Sequence, residues 1–224
     1  MKILALETAN EQCSVAIVDA TQTLFFEHHH EARMQTQQIL PMIERGLAES
    51  KSTWQDISAI AFSRGPGSFS GVRINAAVTQ ALAWANNLPV IPVSTLQALA
   101  QHAYQESKFS EVTAVIDARM NEVYFGQFAV DDQGIMQLHG DEQLLGYDQA
   151  MMQLNPPFDT YVVGTGASLV GHTCAENLYY ANAIDIAEIA KAEWLAGRRV
   201  SADQALPVYL RDNAWKKIAE QGKS

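Results

Sequence analysis

One order of strand-like and helix-like segments runs through this chain twice, and that repetition restricts the fold more than any other feature. The first pass starts with KILALETA, CSVAIVD and TLFFEHHH, three runs separated by short turns that predict an antiparallel meander. TQQILPMIERGLAES follows, with Ile39, Leu40, Ile43 and Leu47 at helical spacing. Thr36 is the expected N-cap, and Pro41 predicts a kink or a later start. ISAIAFSR reads as a strand, and FSGVRINAAVTQALAWANN as a helix ending near Asn86 and Asn87. PVIPVS is a further strand, and STLQALAQHAYQES a helix capped by Ser94 or Thr95. Near Ser110 the order begins again: EVTAVIDAR, EVYFGQFAV and GIMQLHG as strands, a helix near YDQAMMQL, the strand TYVVGTG and the helix DIAEIAKAEWLAG. A duplicated βββαβα unit predicts two lobes of one α/β type, each with a mixed sheet. The lobes are expected over 1–108 and 109–224, packed together because no flexible linker separates them.

At 224 residues and 48% hydrophobic, the chain can fill two such cores. A charged fraction of 18% is low, which favours some surface being covered by a partner. The formal net charge of −10, from 25 acidic and 15 basic residues, opposes autonomous nucleic-acid binding, because phosphate contacts need clustered Lys and Arg. Arg198-Arg199 and Lys216-Lys217 read as ordinary surface charge. Cys13 and Cys174 have no metal spacing and form no disulfide framework. MKILALETANE is apolar for too few residues to be a signal peptide, and no run approaches the roughly 18 apolar residues of a membrane span. A cytoplasmic, reduced protein is expected.

The loop SRGPGSFSG carries glycines at 65, 67 and 71 between a strand and a helix, a context that suits a phosphate cradle. It lacks the Lys-Ser/Thr ending of a P-loop and the spacing of a dinucleotide fingerprint. A tight turn that sets Ser68 or Ser70 as an N-cap explains it equally well. VVGTGAS is the one candidate for a second phosphate loop. Glu7 and Asp117 each close the first strand of a repeat, with Arg119 beside the latter. Such carboxylates can face a shared cleft and hold a metal-bound water, or accept hydrogen bonds from their own turns. In the run His28-His29-His30, the first and third share one face of a strand and the second points the other way. With no further histidine nearby and no metalloprotease pattern, a solvated edge strand is the expectation and no metal site is assigned. His102, His139 and His172 are isolated, and no nucleophile–base constellation stands out.

GPGSFSGVRI, IDARMNEVYFGQF and PVYLRDNAWKK closely resemble stretches of the bacterial TsaB (YeaZ) family, and the likeness runs from ILALETA to PVYLR. The resemblance implies two RNase H-like lobes of the actin-like, sugar-kinase-like ATPase superfamily. It implies a non-catalytic subunit that binds and supports TsaD, the paralogue that holds a metal through a histidine pair and transfers threonylcarbamoyl to the adenosine next to the tRNA anticodon. TsaC, which makes the threonylcarbamoyl-adenylate, and TsaE, an accessory ATPase, are implied functional partners. A homodimer is expected when the chain is alone, with tRNA met only through the complex. The chain has no His-x-x-x-His, in keeping with no catalytic residue and no metal. No resident cofactor is implied. ATP or ADP is expected at most at a partner junction, facing Glu7, Gly65, Gly67 and Ser68. The helices near 36–50 and 69–86 are the implied docking surface, through Ile39, Met42, Ile43, Val72, Arg73, Ala76 and Ala77. Two positions depart from the family: Glu7 stands where Asp is frequent, and Met34 where His is frequent. The competing readings are an autonomous ATPase or small-molecule kinase of the same fold, and a metallopeptidase, for which the residues offer no ligands.

Overall fold

In the computed structural model, which describes residues 1–30, 35–154 and 161–211, the first meander and its crossovers form a five-stranded sheet. Its strands are β1 (Lys2–Glu7), β2 (Cys13–Asp19), β3 (Thr23–His29), β4 (Ala59–Ser63) and β5 (Val90–Val93), in the order β3-β2-β1-β4-β5. β1 to β3 are antiparallel neighbours, while β4 and β5 run parallel to β1. This is the strand order of an RNase H-like lobe. The second sheet repeats it with four strands, β6 (Glu111–Arg119), β7 (Glu122–Val130), β8 (Met136–Gly146) and β9 (Tyr161–Val163), in the order β8-β7-β6-β9. The helices are α1 (Gln35–Glu49), α2 (Phe69–Asn86), α3 (Thr95–Ser107), α4 (Tyr147–Leu154) and α5 (Ala183–Leu195).

β1, β2 and β4 are apolar almost without alternation because both faces of the first sheet are covered. Leu4 and Leu6 point to one side, where α1 and α2 supply Ile39, Met42, Ile43 and Ala76. Ile3 and Ala5 point to the other, into a core that contains Leu96, Leu99, Val112, Ile186 and Ile189. A third cluster, with Val115, Phe125 and Leu154, lies between the second sheet and α4. The layers therefore run α1 and α2, first sheet, α5 with α3, second sheet, α4.

The middle layer contains an exchange. α3 follows β5 yet packs on β6, β7 and β8, whereas α5 follows β9 yet packs on β1, β2, β4 and β5. The division expected at 108 and 109 falls between α3 and β6 and separates the two sheets, but the helices cross it. His102 of α3 and Asp185 of α5 pin the crossing, with Nδ1 and Oδ2 3.1 Å apart. The His102 Nε2 also meets the Asn177 carbonyl at 2.9 Å. Asp185 belongs to a capping box, accepting the Asn182 amide at 2.7 Å.

Local expectations need three adjustments. Thr36 is not a cap but lies inside α1, one residue past its start. The helix does not begin late, and Pro41 lies within it on its exposed side. α5 starts two residues before Asp185, because Asn182 caps it. Ser68 and Ser94, not Ser70 and Thr95, are the caps of α2 and α3. Among the described residues no helix is long and apolar enough to cross a membrane.

Candidate functional site

The glycine loop lies flat on the turn that follows β1. The Ser68 amide donates to the Ala9 carbonyl at 2.7 Å, and the Thr8 hydroxyl donates to the Gly71 carbonyl at 2.8 Å. A Cβ at Gly67 would stand 2.2 Å from the Ala9 carbonyl oxygen, and one at Gly71 2.0 Å from that of Thr8. Backbone approach between the two turns therefore dictates glycine at both positions. The Gly71 amide donates to the Ser68 hydroxyl at 3.4 Å and the Val72 amide to the Ser68 carbonyl at 3.0 Å. With the amides of Ser68, Gly71 and Val72 all engaged, the loop turns the chain and caps α2 rather than opening as a nest for an anion. In the second repeat, Gly164 of VVGTGAS likewise fits beneath the Val115 carbonyl, where a Cβ would stand at 2.3 Å.

Both strand-end carboxylates serve their own turns. Glu7 is fully buried, and its Oε1 accepts the Ala9 amide at 2.5 Å while Oε2 has no hydrogen-bond partner. Burial raises its pKa to about 7, partly opposed by the neighbouring Ser63 hydroxyl and the Ala9 amide. A carboxyl without exposed surface cannot reach a metal-bound water in the cleft. Asp117 Oδ1 accepts the Arg119 amide at 2.8 Å.

A cleft of about 790 Å³ opens between the lobes. Gly67 and Ser68 line it; Glu7 and Gly65 do not. Its floor is the β6–β7 turn, where Arg119, Met120 and Asn121 all have positive φ, at 62°, 57° and 61°. For Arg and Met this backbone is strained, and it swings Arg119 toward the first lobe. Arg119 meets Asp117 at 2.9 Å and Glu11 at 3.8 Å, and the Tyr180 hydroxyl donates to Glu11 at 3.4 Å. Arg211 closes one end, paired with Glu122 at 2.6 Å and donating to the Ala118 carbonyl at 3.0 Å. Arg73 lies 3.3 Å above the Phe69 ring and 5.0 Å from that of Tyr209. Sequence reasoning singled out Arg73 and Arg119 but missed Arg211 and Tyr209, whose role depends on where the chain returns after α5. Met34 and residues 212–217 of RDNAWKK lie outside the described residues.

The docking helices keep their places, but most of the side chains named on them face inward. Ile39, Met42 and Ile43 form the stripe of α1 that packs on the first sheet, and Ala76 does the same from α2, while Val72 is buried at the wall of the cleft. All five are buried rather than on the outer face. Arg73 is half-buried on Phe69, and Ala77 is exposed. The outward faces carry Leu40, 47% exposed, on α1, and Ala77, Ala81 and Trp84 on α2, the last 73% exposed.

Residues 29–156 match the family described as TsaD: tRNA N6-adenosine threonylcarbamoyltransferase. The Haemophilus influenzae tRNA threonylcarbamoyladenosine biosynthesis protein TsaB is 38% identical over 233 residues, covering 97% of each chain. This chain belongs to the TsaB family. The Escherichia coli TsaB is 40% identical over 231 residues, covering 97% of this chain and 98% of its own. The solved YeaZ of Pseudomonas aeruginosa, 38% identical, superposes with a TM-score of 0.85 over 93% of this chain and 99% of its own. The TsaB family thus accounts for both repeats and not for one lobe alone. Among the described residues of this TsaB-family chain, no group of three His, Cys, Asp or Glu side chains is arranged to hold a metal.

Proposed function

We propose that the chain is a non-catalytic subunit of the machinery that makes threonylcarbamoyladenosine in tRNA, binding and supporting TsaD. The observation that carries this reading is the use of both strand-end carboxylates, Glu7 and Asp117, by their own turns. The groups that would polarise a phosphate or a water across the cleft are committed to structure instead. TsaC and TsaE are functional partners, tRNA is met only through the complex, and the setting is cytoplasmic. The peptidase and autonomous-kinase readings find no support in these groups.

The docking surface in this proposal is the outer side of α1 and α2, with Leu40, Ala77, Ala81 and Trp84 replacing the buried residues. Ala77 and Ala81 are one turn apart, so a partner helix can approach there closely. The same face serves a homodimer when the chain is alone, so the two assemblies compete. The cleft reaches Phe69 and Arg73 at the start of α2, which would put a bound ATP or ADP at that junction.

Ala77→Glu tests the surface. Ala77 is exposed, so the variant folds, but a carboxylate trapped unpaired at an interface costs about 3–5 kcal/mol. Sedimentation of the variant alone and with TsaD should show both pairings weakened, with circular dichroism unchanged. A folded variant that pairs normally removes this face from the interface. Wild-type chain without TsaD should leave tRNA unmodified.

A further inference from the structure

The three consecutive histidines belong to neither the cleft nor the docking helices. β3 is the edge strand of the first sheet, and alternation along it puts Phe26, His28 and His30 on one exposed face. The two imidazoles converge: their Nε2 atoms are 2.5 Å apart, with ring centroids 4.4 Å apart and planes at 81°. His28 stacks on Phe26 at 5.6 Å, which fixes its plane. His30 is held from β2's side, where the Gln12 side-chain amide meets its Nδ1 at 2.9 Å. His29 turns to the opposite face and pairs with Glu27 at 2.8 Å.

We propose that His28 and His30 form a surface chelate for a divalent transition metal that favours imidazole, namely Cu²⁺, Ni²⁺ or Zn²⁺. Two ring nitrogens bonded to one such ion at about 2.0–2.1 Å stand roughly 3 Å apart. The rings need to part by about half an ångström, which small side-chain rotations on an exposed strand supply. Gln12 completes the arrangement. Its Nε2 faces the His30 Nδ1; when a metal takes the His30 Nε2, the ring proton moves to Nδ1 and Gln12 turns its amide oxygen to accept it. Among the described residues no third His, Cys, Asp or Glu joins the pair, so water fills the remaining positions and the ion exchanges readily. Imidazole donors without carboxylates reject Mg²⁺ and Ca²⁺ and rank Cu²⁺ above Ni²⁺ and Zn²⁺.

Calorimetric titration of tag-free protein with Cu²⁺, Zn²⁺ and Mg²⁺ tests this. The expected result is one Cu²⁺ per chain, weaker Zn²⁺ and no Mg²⁺ heat. His28→Ala and His30→Ala should each weaken Cu²⁺ binding by at least about tenfold. His29→Ala should not, because that ring points away. All three positions are on the edge strand, and circular dichroism checks that each variant is folded. Binding no tighter in the wild type than in the His28→Ala/His30→Ala double variant overturns the site. So does equal weakening by all three single variants.

Discussion

Glu7→Gln isolates a fully buried carboxyl whose folded pKa lies near neutrality. In the folded chain its pKa is about 7, against an ordinary value of 4.5, and burial is the main cause. Because the folded state holds this proton more tightly than the unfolded state, its contribution is fully present below about pH 4.5. It is lost as pH rises through the folded value. A shift of this size corresponds to about 3 kcal/mol between the two limits. Gln keeps an oxygen for the Ala9 amide, but its NH₂ group takes the place of an Oε2 that has no partner. That offset, roughly 1–3 kcal/mol, is the same at every pH, so the slope rather than the level is the readout. Urea unfolding of both proteins from about pH 5 to about pH 8 should show wild type losing about 2.5 kcal/mol more than the variant. His102 and Asp185 also have raised pKa values, but they titrate in both proteins and cancel in the difference apart from the weak repulsion between Asp185 and Glu7. Parallel decline of the two curves would refute the claim that burial sets the state of Glu7.

Gly67→Ala forces a methyl against the Ala9 carbonyl and should destabilise by about 1–3 kcal/mol, read by thermal melting; an unchanged melt would mean the two turns are not in contact. His102→Ala strips Asp185 of its imidazole partner and should cost about 1–3 kcal/mol, while adding Asp185→Asn should recover part of the loss in a double-mutant cycle.

Much of this architecture is legible locally. Continuous apolar runs mark β1, β2 and β4 because the sheet is covered on both faces, and the restart near Ser110 exposes the duplication. The glycine loop is legible as a turn but not in its purpose, because the Thr8 and Ala9 carbonyls that demand Gly71 and Gly67 lie far away in the sequence, 63 residues in the case of Thr8. On α2, alanines all around the helix hide which side faces the sheet, so Ala76 and Ala77 look alike although one is core and the other surface. The cleft depends on long-range returns: Arg211 meets Glu122, and Tyr209 meets Arg73, with no spacing signal to announce either pairing. The strained turn at Arg119, Met120 and Asn121 is hidden for a simpler reason, since only Asn among them is a habitual left-handed residue.

The exchange of α3 and α5 has a consequence for how this protein is born. During synthesis the first sheet is complete at Val93, yet the helix that covers one of its faces ends at Leu195. At ribosomal speeds of about 5–20 residues per second, that face waits on the order of ten seconds for its cover. α3, meanwhile, emerges with an apolar side meant for strands not yet made. Neither half can settle alone, so folding of the two halves is a single late event, closed when Asp185 reaches His102. A nascent chain stalled before α5 would present Ile3, Ala5 and Ile91 to solvent and become a client for chaperones.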